Sequence, residues 1–228
     1  MTEAAPQPLL ASAPRIAKPR LRGVSHQWAF FVSCAIGAAL VIAAPAGTPR
    51  LAAAVYAVSV TVLFGVSALY HRVNWASVPA RRWMRRLDHS AIFILIAGTY
   101  TPFALLVLDG ALATVILVVV WAGALGGILL KLVWIDAPKL LAAIVYVALG
   151  WVAVAAFPDL FEELGVTGAA LVVAGGVLYT AGALVYALKR PDPVPTVFGY
   201  HEVFHALVIV AAALQYAVVA FYVLPAAS

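Results

Sequence analysis

The chain has 228 residues, of which 65% are apolar and 10% charged, and its mean hydropathy is +1.05. So apolar a composition excludes an ordinary soluble domain and places the chain in a bilayer. The formal net charge of +5 does not point to a nucleic-acid partner, because the basic residues sort by loop instead of gathering in one patch.

Residues 1–26 are rich in Pro, Ala and basic side chains and read as a disordered tail, ending in a juxtamembrane cluster of Arg15, Lys18, Arg20 and Arg22. The tail and the first apolar run have the outline of a signal peptide, but a run of about 20 residues is long for one and reads as a retained anchor. Seven apolar runs follow, near 27–46, 51–71, 89–108, 111–133, 138–157, 166–188 and 201–223. Each has the length needed to cross about 30 Å of hydrocarbon at 1.5 Å per residue. Their continuous apolarity, without alternation, fits helices and not a barrel. The expected fold is therefore an all-α membrane protein, a seven-helix transmembrane bundle over 27–223. Cys34, the single cysteine, lies inside the first run, so neither an intrachain disulfide nor a cysteine-based metal site is available.

Charge sets the orientation. The tail, the loop after the second run (Arg72, Arg81, Arg82, Arg85, Arg86), the loop after the fourth (Lys131, Lys139) and that after the sixth (Lys189, Arg190) hold all basic residues except Arg50, 13 of 14. The positive-inside rule makes that side cytoplasmic, with the N-terminus inside and the C-terminus external. Asp109, Asp159, Glu162 and Glu163 fall on the other face. This is the reverse of the arrangement usual in G-protein-coupled receptors.

Ionisable groups inside such a bundle are functional candidates by default. His71 closes the second run, Asp88 opens the third, and His201 and His205 open the seventh, all at the cytoplasmic face. His201 and His205 stand at i and i+4, on one side of a helix, as two ligands of one metal must. Three neutral imidazoles with a water in the fourth position form a catalytic zinc arrangement in which the water's pKa falls to about 7. Asp88 is then placed either to orient His71 or to hold that water as general base. His89 points about 100° away around the helix and is the weaker candidate. Ser67 lies one turn before His71 on the same face; the plain reading of its hydroxyl is a bond back to the carbonyl of residue 63.

His201-Glu202-Val203-Phe204-His205 also satisfies the H-E-x-x-H pattern of metalloproteases. A site-2-type protease would take its third ligand from Leu108-Asp109-Gly110. Asp109, however, belongs at the external end of its helix, roughly 30 Å from His201, so the two cannot share an ion; Leu108-Asp109-Gly110 reads as a tight turn bent by its glycine. A third ligand downstream is missing too, since no His, Asp or Glu follows His205. Glu202 is left with two readings, a base or a partner for a neighbouring helix or an Arg or Lys at the cytoplasmic rim.

The blocks "SALYHR" (67–72), "RRLDHSAIFILIAGTYTPF" (85–103) and "FGYHEVFH" (198–205), with "KPRLRGVSH" (18–26) ahead of them, resemble the hemolysin III family. That family is the bacterial branch of the progestin and adipoQ receptor group, in a superfamily with alkaline ceramidases. The resemblance covers about 18–223. It implies a seven-helix bundle in the bacterial cytoplasmic (inner) membrane and zinc held by His71, His201 and His205. It further implies that Asp88 is the partner of the metal's water, that Ser67 is the family's serine and that Glu202 is incidental. Superfamily relatives hydrolyse ceramide amide bonds, so the implied activity is a zinc-dependent hydrolase of amide- or ester-linked membrane lipid. A non-enzymatic sensor of membrane state with structural zinc is the alternative, and a haemolytic pore former a further one; few polar residues besides Ser, Thr and Gln215 lie at mid-depth, where an aqueous path needs them. The topology is directly testable: alkaline phosphatase fused after Ser228 is expected to be active outside the cytoplasm, and a cytoplasmic reading would invert the bundle.

Overall fold

The computed structural model describes residues 18–226, and among these every regular element is helical. The helices are α1 (Val24–Ala43), α2 (Thr48–Arg72), α3 (Val78–Leu106), α4 (Gly110–Val133), α5 (Lys139–Gly150), α6 (Phe157–Leu188) and α7 (Tyr200–Val218). A 3₁₀ segment, Trp151–Ala156, joins α5 to α6. A π-helical turn, Val219–Val223, extends α7 into a last short turn, Leu224–Ala226. Six helical stretches are long and apolar enough to cross a membrane. The expected runs 138–157 and 166–188 fall together in one of them, Lys139–Leu188, which is 50 residues long. That stretch contains the 3₁₀ segment and a kink at Gly165 (φ 65°, ψ −179°), where the backbone leaves helical geometry.

Two other boundaries differ from expectation. Part of the expected tail, 1–17, lies outside the described residues, but 18–26 are held in place. The Arg20 and Leu21 amides donate to the Thr196 and Val197 carbonyls at 3.0 and 3.1 Å, and α1 already begins at Val24. The helix expected from residue 89 begins at Val78. Ser77 caps it by accepting from the Ala80 amide at 3.3 Å, and Pro79 sits in its first turn, a position where its missing N–H costs nothing. The Arg81–Arg86 cluster therefore rides on helix, not loop. There Arg82 and Arg85 pair with Asp136 at 3.0 and 2.8 Å and clamp the α4–α5 connection. The turn at Leu108-Asp109-Gly110 is as expected, with Gly110 at φ 60°.

The core is a seam of α2 and α3 with α1 packed on α2, α4 on α3, and α7 on α6. Backbone groups freed from helical pairing must find partners in an apolar interior. At the α-to-3₁₀ junction Tyr100 does both jobs: its hydroxyl donates to the Gly150 carbonyl at 2.5 Å and accepts from the Ala153 amide at 2.7 Å. Close packing uses glycine where helices touch. A Cβ on Gly175 would meet Gln215 Nε2 at 2.4 Å and one on Gly182 would meet Phe204 at 3.3 Å, so both serve α6–α7 contact within the chain, while one on Gly176 would meet open space. On the α2–α3 seam a Cβ on Gly98 would stand 2.2 Å from Ser59 Oγ. Gly98→Ala is expected to cost about 1–3 kcal/mol by overpacking, read as a lowered Tm in detergent, with Gly176→Ala near the parent value.

Candidate metal centre

Helix α7 starts where it does because its first turn is capped from several directions. Gly199 occupies the N-cap, and its amide donates to Glu202 Oε2 at 2.8 Å; the Tyr200 amide donates to Asp192 Oδ1 at 2.8 Å. That start sets His201 and His205 one turn apart on the side that meets the end of α2. There His201 Nε2 and His71 Nε2 come within 3.1 Å. His71, His201 and His205 each bring one ring nitrogen within 4.8 Å of the other two, and all three are buried. Their rings are inclined at 68° (His71–His201), 63° (His71–His205) and 61° (His201–His205), as rings facing a common point from three directions are.

These residues pass a simple test of fit to zinc. A tetrahedral ion with bonds of about 2.0–2.1 Å holds its ligand nitrogens about 3.3 Å apart, close to the separation of His71 and His201. A buried polar atom without a partner calls for a missing ion or water, and His205 Nδ1 is one. Neutral imidazole is a donor type zinc prefers.

Asp88 lies about three turns into α3, not at its start. Its Oδ2 is 3.9 Å from His71 Nε2 and 3.5 Å from His89 Nδ1. His89 is thus part of the same end of the molecule and not turned away: its Nε2 lies 3.1 Å from the Tyr186 hydroxyl, and Tyr146 OH donates to its carbonyl at 3.1 Å. Helix spacing alone missed this, because a residue 100° around α3 still faces α5 and α6.

The Ser67 hydroxyl does not turn back to residue 63. It shares a 2.8 Å hydrogen bond with His26 Nδ1. His26, 2% exposed, is the site residue that sequence reasoning passed over. The signal for it is an imidazole immediately ahead of the first apolar run, in "KPRLRGVSH".

Glu202 is occupied elsewhere. Its Oε1 accepts from Arg22 Nε, its Oε2 caps α7, and its side chain is 2% exposed; the rim-partner reading is the one observed. Asp109 is far from this chemistry, lining a separate pocket with Asp159, Glu162 and Glu163. Positive charge crowds the histidine end: burial, and then the like charges of Arg72, Arg22 and Arg81, hold the Lys18 ammonium below its ordinary value.

A cavity of about 190 Å³ opens from the cluster. His26, Ser67, Asp88, His89, His201 and His205 line it at one end, and it continues past Ile92, Ile96, Tyr100 and Phe103 of α3, with Val172 and Tyr179 of α6 and Val208 of α7 opposite. The α3 wall from Asp88 to Phe103 rises about 22 Å, so the cavity is long, narrow and apolar with one polar end.

These features define the class: an integral multi-pass helical membrane protein with a buried cluster of three histidines at the end of an apolar cavity. The family model described as "Haemolysin-III related" matches residues 15–216. The chain is 35% identical over 174 residues to "Hemolysin-3" of Bacillus cereus, covering 76% of each. It is 36% identical over 168 residues to "Hemolysin-3 homolog" of Bacillus subtilis (strain 168), covering 74% of this chain and 75% of that protein. The chain belongs to the hemolysin III family.

The Arg22–Glu202 pair yields a stability prediction. Arg22→Ala leaves a buried carboxylate uncompensated and is expected to cost about 3–5 kcal/mol; adding Glu202→Gln should recover most of it, as followed by thermal unfolding in detergent.

Proposed function

We propose that the chain is a zinc-dependent hydrolase of amide- or ester-linked lipid, acting at the cytoplasmic leaflet of the bacterial inner membrane. The observation that carries this reading is the joining of a long apolar cavity to a cluster of imidazoles, a carboxylate and a hydroxyl. An acyl chain lying along α3 would bring its carbonyl to the polar end. His71, His201 and His205 would hold the ion, which supplies Lewis acidity toward a carbonyl oxygen. Asp88, with Oδ2 beside His71 and His89, accepts the proton of the attacking water as general base and returns it to the leaving amine or alkoxide as the acyl C–N or C–O bond breaks. The Ser67 hydroxyl, on the cavity wall, donates a hydrogen bond to the oxygen on which charge develops.

In this reading the chain crosses the bilayer seven times, with its N-terminus in the cytoplasm. The 50-residue run Lys139–Leu188 is about 75 Å of helix, more than twice the hydrocarbon thickness. The 3₁₀ segment and the Gly165 kink supply a place for it to reverse, and α5 packs against α6. The relatives' names suggest a second reading, a haemolytic pore former, but an aqueous path needs polar lining along its length and the cavity walls beyond the histidine end are mostly apolar.

Purified protein should contain about one zinc per chain and release fatty acid from ceramide-like or ester lipids, with loss on chelation and recovery on zinc addition. Asp88→Asn is expected to keep the zinc and lose about 10²–10⁴-fold in rate, while His71→Ala loses the metal. Bound zinc with no fatty acid released from any lipid would favour the sensor instead, and haemolysis by Asp88→Asn at the parent level would favour the pore.

A further inference from the structure

His26 sits against the three clustered histidines from a third helix, α1, and its geometry separates it from them. Its ring is stacked on that of His205, with centroids 3.7 Å apart and planes inclined by only 9°. A ligating imidazole directs its lone pair in the ring plane at the ion, and nitrogen–zinc bonds are about 2.0–2.1 Å. Two nearly parallel rings 3.7 Å apart cannot both aim at one ion so close by. The other three rings, inclined at 61–68° to one another, can.

What His26 does contact are two groups the site depends on. Its face covers His205, and its Nδ1 holds the Ser67 hydroxyl at 2.8 Å. An edge contact with Phe64, centroids 5.1 Å apart, braces the ring. The segment before it is itself fixed to α2 and α7: Arg22 pairs with Glu202, and Gly23, at φ 78°, lies so close that a Cβ there would meet His71 Cβ at 2.5 Å. The position of His26 comes from the stack, the brace and Ser67.

We infer that His26 is a positioning residue of the metal centre, fixing the ring of His205 by stacking and the hydroxyl of Ser67 by a hydrogen bond, without ligating the ion. The inference rests on the zinc reading proposed above and adds to it a residue from α1. Partners that orient a ligand are worth about 10–100-fold in metal affinity when removed, which sets the size of the expected effect.

The test is zinc affinity of the purified full-length protein in detergent, by competition with a chromophoric chelator, together with the visible spectrum of the Co²⁺-substituted protein. His26→Ala is expected to keep one zinc per chain with affinity lowered at least about tenfold. His26→Phe, which keeps an aromatic ring on His205, should restore most of that affinity and shift the Co²⁺ spectrum as Ser67→Ala does. Circular dichroism and gel filtration verify that each variant is folded. Parent affinity in His26→Ala overturns the inference, as does a loss of the metal equal to that in His71→Ala, which would make His26 a ligand. Failure of His26→Phe to restore affinity overturns the stacking assignment. Absence of zinc binding by the unmodified protein contradicts the metal reading itself and is distinguishable from all of these.

Discussion

The structure depends on α2 and α7 delivering His71 and His201 to within 3.1 Å of each other in a buried interior. Two imidazoles from helices 130 residues apart in sequence meet only if the elements between them are held to a fixed register. Much of the polar bonding serves that end. Tyr56 of α2 donates to the Ala212 carbonyl of α7 at 3.3 Å, and Tyr216 of α7 donates to the Ile36 carbonyl of α1 at 3.1 Å. The Arg22–Glu202 pair and the strap of backbone bonds from Arg20 and Leu21 close the same end. Glu202 therefore contributes to the centre without touching it: it caps the helix that carries both histidines and anchors the segment that carries His26.

An apolar surrounding makes each such bond decisive, since a polar group left unpaired in it costs several kcal/mol. This explains why the departure from regular helix after α5 comes with a side chain to serve it, that of Tyr100. It also bears on Gln215, whose Nε2 donates to the Val172 carbonyl at 3.1 Å and whose neighbour Gly175 leaves it room. That glutamine ties α6 to α7.

Much of this was legible in the sequence, for identifiable reasons. Apolar length located the helices because hydrocarbon thickness dictates it. The i, i+4 spacing paired His201 with His205, and charge sorting put His71 at their level. What escaped was whatever depends on how helices are rotated against each other. The partner of Ser67 is on α1, and no local rule on α2 favours it over a back-bond to residue 63. His89 was set aside for pointing 100° from Asp88, although α3 is wrapped on that side by Tyr146 and Tyr186. Arginines ahead of an apolar stretch suggest loop, but α3 begins at Val78, and helix continuing beyond the apolar stretch carries them. Glu202 is open to two readings in the sequence, since a capping glutamate between two histidines is spelled the same way as a protease base, and the pairing with Arg22 is the one observed.

The central claim is that His71, His201 and His205 bind a single ion together, and X-ray absorption at the zinc edge of the purified full-length protein tests it most directly. The account predicts three nitrogen scatterers of imidazole type at about 2.0–2.1 Å with one further light atom. A spectrum with sulfur ligation, or with the multiple-scattering pattern of fewer than three imidazoles, would contradict it.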